Sequence, residues 1–132
     1  MSVQANLDLV RKGYAAFSAG DGETLAALMS PDVAHIVPGS SPVSGAHKGI
    51  QNVLAMYGQL GELSAGTMKV DLQDVVSDGG NRVIAIHRST ATRPDGRSMS
   101  MQEALLFTIS DGKVVEIQDF FSDIAASDAF WA

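Results

Sequence analysis

Residues 82–122, RVIAIHRSTATRPDGRSMSMQEALLFTISDGKVVEIQDFFS, decide the fold. The stretch divides into three alternating runs, Arg82–Thr92, Ser98–Ser110 and 113–122, separated by Arg93-Pro94-Asp95-Gly96 and by Asp111-Gly112. Both separators have turn chemistry, because Pro presets φ, Asp bonds its own backbone and Gly accepts positive φ. Such short separators join neighbours as hairpins, so the runs form an antiparallel meander. Just upstream, Met68, Val70 and Leu72 alternate with Lys69, Asp71 and Gln73 until the turn signal Asp78-Gly79-Gly80-Asn81, which adds one more long strand.

Further toward the N-terminus the apolar period changes to that of a helix. Leu7, Val10, Tyr14 and Phe17 share one side of residues 4–19, and Gly20 stands where a helix ends. Asp21 can cap a short second helix carrying Leu25, Leu28 and Met29, which Ser30-Pro31 terminates. Residues 33–37 are a short strand. The following VPGSSPVSG is too rich in Gly and Pro for a regular element. Ile50, Val53, Leu54, Tyr57 and Leu60 then mark a third amphipathic helix, opened by His47 and Lys48, to which no role is assigned. The expectation is one α+β domain over residues 1–132: a curved antiparallel sheet of four long strands and one short strand, with three N-terminal helices enclosing a cone-shaped pocket.

The bulk chemistry removes several function classes. A net charge of −6, with nine Lys and Arg scattered singly, argues against nucleic acid and anionic membrane as partners. No apolar run reaches the roughly 18 residues of a membrane span, and MSVQANLDLVRKG lacks a signal-peptide core, so a cytoplasmic location is expected. The absence of Cys excludes disulfides, thiol nucleophiles and thiolate metal sites. The three His fall at no metal-ligand spacing and no glycine-rich phosphate loop opens a helix, so neither a metal nor a nucleotide cofactor is expected.

Three stretches in order, YAAFSAGDGETLAALMSPDV, VPGSSPVSGAHKGI and DGKVVEIQDFFSD, make the chain similar to SnoaL-like and ketosteroid-isomerase-like proteins of the nuclear transport factor 2-like superfamily. The ending FFSDIAASDAFWA resembles a subgroup that closes with an acidic residue, a short helix and Phe-Trp. The resemblance implies a pocket for a small apolar organic molecule and a homodimer. It also implies where a steroid isomerase would keep its aspartate base, its tyrosine and its protonated aspartate: at Ile36, Gly13 and Leu105. None of the three is filled, and Tyr14 lies one residue off, so steroid isomerisation is not expected.

Asp119 is the first candidate for chemistry. It shares a face of the last strand with Val115, Ile117 and Phe121, and the resemblance to SnoaL-like cyclases implies an acid or base there; a strand-end carboxylate paired to Arg is the structural alternative. Glu103 lies on the side of Met101, Leu105 and Phe107, where either a pocket acid or an ion pair with Arg82, Arg88 or Arg97 would explain it. His87, beside Val83, Ala85 and Ser89, suits proton transfer or a half-buried hydrogen bond. His35 alternates with Val33 and Val37, and a bulge or register change turning it inward would make it a base. Tyr14 and Tyr57 on helical stripes could orient a ligand, as could Phe121 and Trp131 near the C-terminus, where Phe130-Trp131 would cover a pocket mouth or a partner subunit.

Two function classes follow. One is a cofactor-free acid/base enzyme, an isomerase, cyclase, dehydratase or hydratase with Asp119, His87 and His35 as catalytic groups. The other is a non-catalytic ligand-binding or homodimeric assembly module.

Overall fold

The computed structural model describes residues 2–132. Helix α1 (Val3–Ser18) begins where the Ser2 hydroxyl accepts from the Ala5 N–H, and α2 (Gly22–Leu28) where the Asp21 carboxylate accepts from the Thr24 N–H. Strand β1 (Met29–Val37) follows at once, then β2 (Gly45–Lys48) and helix α3 (Ile50–Leu63). The meander is β3 (Lys69–Ser77), β4 (Arg82–Thr92), β5 (Ser98–Ser110) and β6 (Lys113–Phe121), and the chain closes with helix α4 (Ile124–Trp131).

The α+β class holds, with four differences of detail from the expectation. The six strands run in the order β2-β1-β6-β5-β4-β3, and β1 lies parallel to β6, so the sheet is mixed. Local turns dictate only hairpin pairings, and the β1–β6 pairing is not local. Strand β1 is nine residues long and includes Met29, because α2 stops one residue earlier than its apolar stripe suggests. The Gly- and Pro-rich stretch ends in a strand: Val37 opposes Gly45 and Ala34 opposes Lys48 across β1 and β2, which takes His47 and Lys48 out of the third helix. The fourth helix is the C-terminal one, capped by the Asp123 carboxylate on the Ala126 N–H.

Alternation along the strands sorts the core. Val83 and Ala85 on β4, Phe107 and Ile109 on β5, Val114 and Ile117 on β6 and Val33 on β1 point to one side, where they meet Val10 of α1, Leu25 of α2 and Val53 of α3. A bulge between Thr108 and Ile109 doubles β6 at Val115, so Val114 and not Val115 joins Ile117 and Asp119 on the inner face. The β5–β6 hairpin turns on Asp111 and Gly112, with φ of 51° and 74°, the two positive values that a two-residue turn matching strand twist requires.

A second cluster seals the other end of the fold. Phe130 and Trp131 are both buried and pack against Val43, Ala91, Met99 and Met101. Two devices hold α4 there. The Asp128 carboxylate accepts from the Ser40 N–H and hydroxyl, while the Arg93 and Arg97 guanidinium groups donate to main-chain carbonyls at the helix end, including that of Phe130.

Gly39 is the hinge of this latch. Its φ is 94°, and a Cβ there would collide with the Asp128 carboxylate. Gly39→Ala is expected to destabilise the fold by about 1–3 kcal/mol through strained backbone and a displaced carboxylate. Urea unfolding checks this, and an unchanged midpoint would show that the latch carries no strain.

Candidate active site

The inner face of the sheet carries four polar side chains in a row across four adjacent strands: His35 on β1, Asp119 on β6, Glu103 on β5 and His87 on β4. Register explains the row. His87 directly opposes Glu103, while Glu103 opposes Phe121 and Asp119 opposes Leu105, which makes the two carboxylates diagonal neighbours, roughly 7 Å apart at the backbone. His35 opposes Ile117, two residues short of Asp119.

Each carboxylate is joined to the imidazole on its outer flank. His35 Nε2 lies 2.7 Å from Asp119 Oδ1, and His87 Nε2 lies 2.8 Å from Glu103 Oε1. Each imidazole meets a tyrosine from the helical layer through its other nitrogen: Nδ1 of His35 is 2.7 Å from the Tyr57 hydroxyl on α3, and Nδ1 of His87 is 2.6 Å from the Tyr14 hydroxyl on α1. The result is two Tyr–His–carboxylate chains side by side. A charged carboxylate can only accept, so a neutral imidazole beside it carries its proton on Nε2 and takes the tyrosine proton at Nδ1.

The chains differ in one contact. Ser89, fully buried on β4, donates its hydroxyl to Glu103 Oε1, the oxygen His87 already engages. Asp119 receives only His35, and its side chain is 12% exposed against 8% for Glu103. In both carboxylates the second oxygen has no hydrogen-bond partner among the described residues.

All seven of these residues line one internal cavity of about 110 Å³. The remaining wall is apolar and includes Leu9, Phe17, Leu25, Leu105 and Phe107. Both tyrosine pKa values are pushed above the ordinary 10.0, chiefly by burial and secondarily by the Asp119 carboxylate, with Glu103 and Tyr57 adding to the effect at Tyr14. The phenols therefore stay neutral donors at any physiological pH.

The expected candidates are gathered with one division. Asp119, Glu103, His87, His35, Tyr14 and Tyr57 meet in this cavity, and His35 faces inward in alternation with Val33 and Val37, just after a register shift in β1 between Met29 and Ala34. Phe121 and Trp131 do not line it; they line a smaller neighbouring cavity of about 50 Å³. Glu103 pairs with His87 and with none of the three arginines considered, since Arg82 and Arg88 alternate onto the outer face of β4 and Arg97 donates to Asp95 and α4. Ser89 was the functional residue that sequence reasoning passed over, although its alternation with His87 was the available signal.

Comparison with known proteins agrees with this architecture. The SnoaL-like domain matches residues 10–117. The chain belongs to the SnoaL-like family. A relative, the uncharacterized protein Rv0034 of Mycobacterium tuberculosis, is 39% identical over 132 residues, all of both chains. The structure of Bal32a from a soil-derived mobile gene cassette superposes with a TM-score of 0.93 at 38% identity, covering 98% of each chain. A nuclear transport factor 2-like protein from Burkholderia xenovorans shares the fold, with a TM-score of 0.86 at 24% identity over 100% of this chain and 99% of its own.

The raised tyrosine pKa values set the alkaline behaviour of this SnoaL-like chain. A raised folded-state pKa contributes stability that is intact below the unfolded value of 10.0 and is lost as pH rises past it, because only the unfolded chain can then release those protons. The sequence has only these two tyrosines, so phenolate absorbance reads the site alone. It is expected to stay silent above pH 10.0 until the protein unfolds, and Tyr14→Phe with Tyr57→Phe should flatten the alkaline fall of the urea midpoint. Free titration of either phenol in the folded protein would contradict the burial described.

Proposed function

We propose that the protein is a cofactor-free acid/base enzyme that moves a proton on a small, uncharged, largely apolar carbonyl compound. The observation that carries this reading is the pair of Tyr–His–carboxylate chains ending in one apolar cavity. Carboxylates with an oxygen free for a ligand, beside neutral phenols in a cavity with otherwise apolar walls, suit removal of an acidic C–H proton next to a carbonyl.

The Ser89 contact supports a division of roles. Glu103 Oε1 already accepts from both His87 and Ser89, whereas Asp119 accepts from His35 alone. A ligand carbonyl in the cavity then takes the Tyr14 O–H in place of His87 Nδ1. Asp119, with one donor and one oxygen free, is the base. The α-proton passes to Asp119, the C–H electron pair becomes the enolate double bond, the negative charge on oxygen is met by Tyr14, and the proton returns to the same carbon or to a conjugated one. His35 and Tyr57 orient Asp119.

Exchange of α-protons of alkyl phenyl ketones with heavy water, followed by NMR, tests the reading. Wild-type protein is expected to accelerate exchange, Asp119→Asn to reduce the rate on the order of 10²–10⁴-fold, and Tyr14→Phe about 10²-fold. If ketones bind without exchange above the buffer rate, the protein is a ligand-binding module.

A second observation supports a homodimer. On the outer face of the sheet Val76 of β3 opposes Ile84 of β4, and both are exposed, as is Phe120 of β6. We propose that this face meets a second copy of the chain. Light scattering at micromolar concentration should report a dimer that Phe120→Glu weakens; a monomeric wild-type protein would remove the proposal.

A further inference from the structure

The carboxylate row has a second apolar space beside it. A cavity of about 50 Å³ is walled by Val37, Val43, Met56, Met99, Phe121 and Trp131, and it shares His35, Asp119, Glu103, Leu60 and Met68 with the larger chamber. The two chambers therefore meet at the polar row. From this geometry we infer that the small chamber is a subsite for an unbranched apolar substituent of the same ligand, and that Trp131 sets its length. The inference rests on the small-molecule reading above and narrows it to unsymmetrical compounds.

Size gives the two ends of the molecule. A space of about 110 Å³ approaches the 150 Å³ known to accept benzene, so it suits one ring or a branched head. By the same yardstick, about 50 Å³ admits a chain of roughly two or three carbons in the small chamber. A polarised carbon joining head and tail then lies at Asp119 and Glu103.

Wall chemistry agrees. Apart from the row itself the small chamber presents no polar side chain, so water there would find partners at one edge only, and an apolar tail replaces it favourably. No Lys or Arg lines either chamber, the imidazoles of His35 and His87 are already engaged by Asp119 and Glu103, and these two carboxylates bound both spaces, so a tail ending in a carboxylate is refused. The thioethers of Met56, Met68 and Met99 adapt to tail shape. Trp131 does not adapt: its ring packs edge-on to Phe130 at 4.8 Å, and the Asp128 and Arg97 contacts clamp its helix.

The test is a binding series of alkyl phenyl ketones from acetophenone to heptanophenone. Trp131 is the sole tryptophan, so its fluorescence reports the chamber wall directly. Affinity is expected to tighten about fourfold per methylene until the tail is about two or three carbons long, and then to stop improving. Trp131 emission should change as the tail lengthens. Met99→Ala should move the limit to longer tails, and Trp131→Phe, read by calorimetry, should do the same if Met99→Ala fails to fold. Affinity independent of tail length with constant Trp131 emission would overturn the subsite while leaving the ring-sized chamber and its chemistry intact. Failure of every ketone to bind would remove both.

Discussion

Two carboxylates facing one largely apolar cavity are the constraint to which the rest of the structure answers. Taking even one carboxylate out of water costs several kcal/mol unless donors replace the solvent, and a second one two residues across the sheet adds repulsion. The fold meets this with an imidazole on the outer flank of each, and with a tyrosine behind each imidazole. Both nitrogens of both rings are thereby engaged, so neither ring can rotate without losing a hydrogen bond. The sheet holds the acidic part of each chain and the helices hold the phenol. Displacing α1 or α3 would therefore break hydrogen bonds made by the imidazoles on the sheet.

The near-symmetry of the two chains makes their difference informative. Tyr, His and carboxylate recur in the same order and at similar distances, but only Glu103 has a neighbouring hydroxyl. One of two similar acids thus accepts from two side chains and the other from one. Ser89, on the same strand as His87, makes this difference.

Much of this arrangement was legible in the sequence, and the limits follow from locality. The β4–β5 turn centres on Asp95, and His87 and Glu103 are each eight residues from it (95 − 87 and 103 − 95), so their opposition follows from the hairpin once the turn is recognised. Alternation alone placed His87, Ser89 and Glu103 on an inner face. The pairing of His35 with Asp119 could not be read in this way, because it crosses a parallel contact between strands separated by most of the chain. Val115 was misplaced because a bulge shifts the phase of β6 without a Gly or Pro to announce it. Strand β2 was hidden by its own preamble, since its backbone partners come from β1 and not from a neighbouring turn.

The same contrast in locality bears on the order in which the molecule assembles. The His87–Glu103 half spans 16 residues of sequence and can form within a hairpin, a microsecond event in isolated chains. The His35–Asp119 half spans 84 residues and must wait until the first strand docks against the last. Until then the cavity has one finished wall and an aspartate open to water. The His35–Asp119 half is thus the keystone of the chain's closure, the contact that ties its first strand to its last.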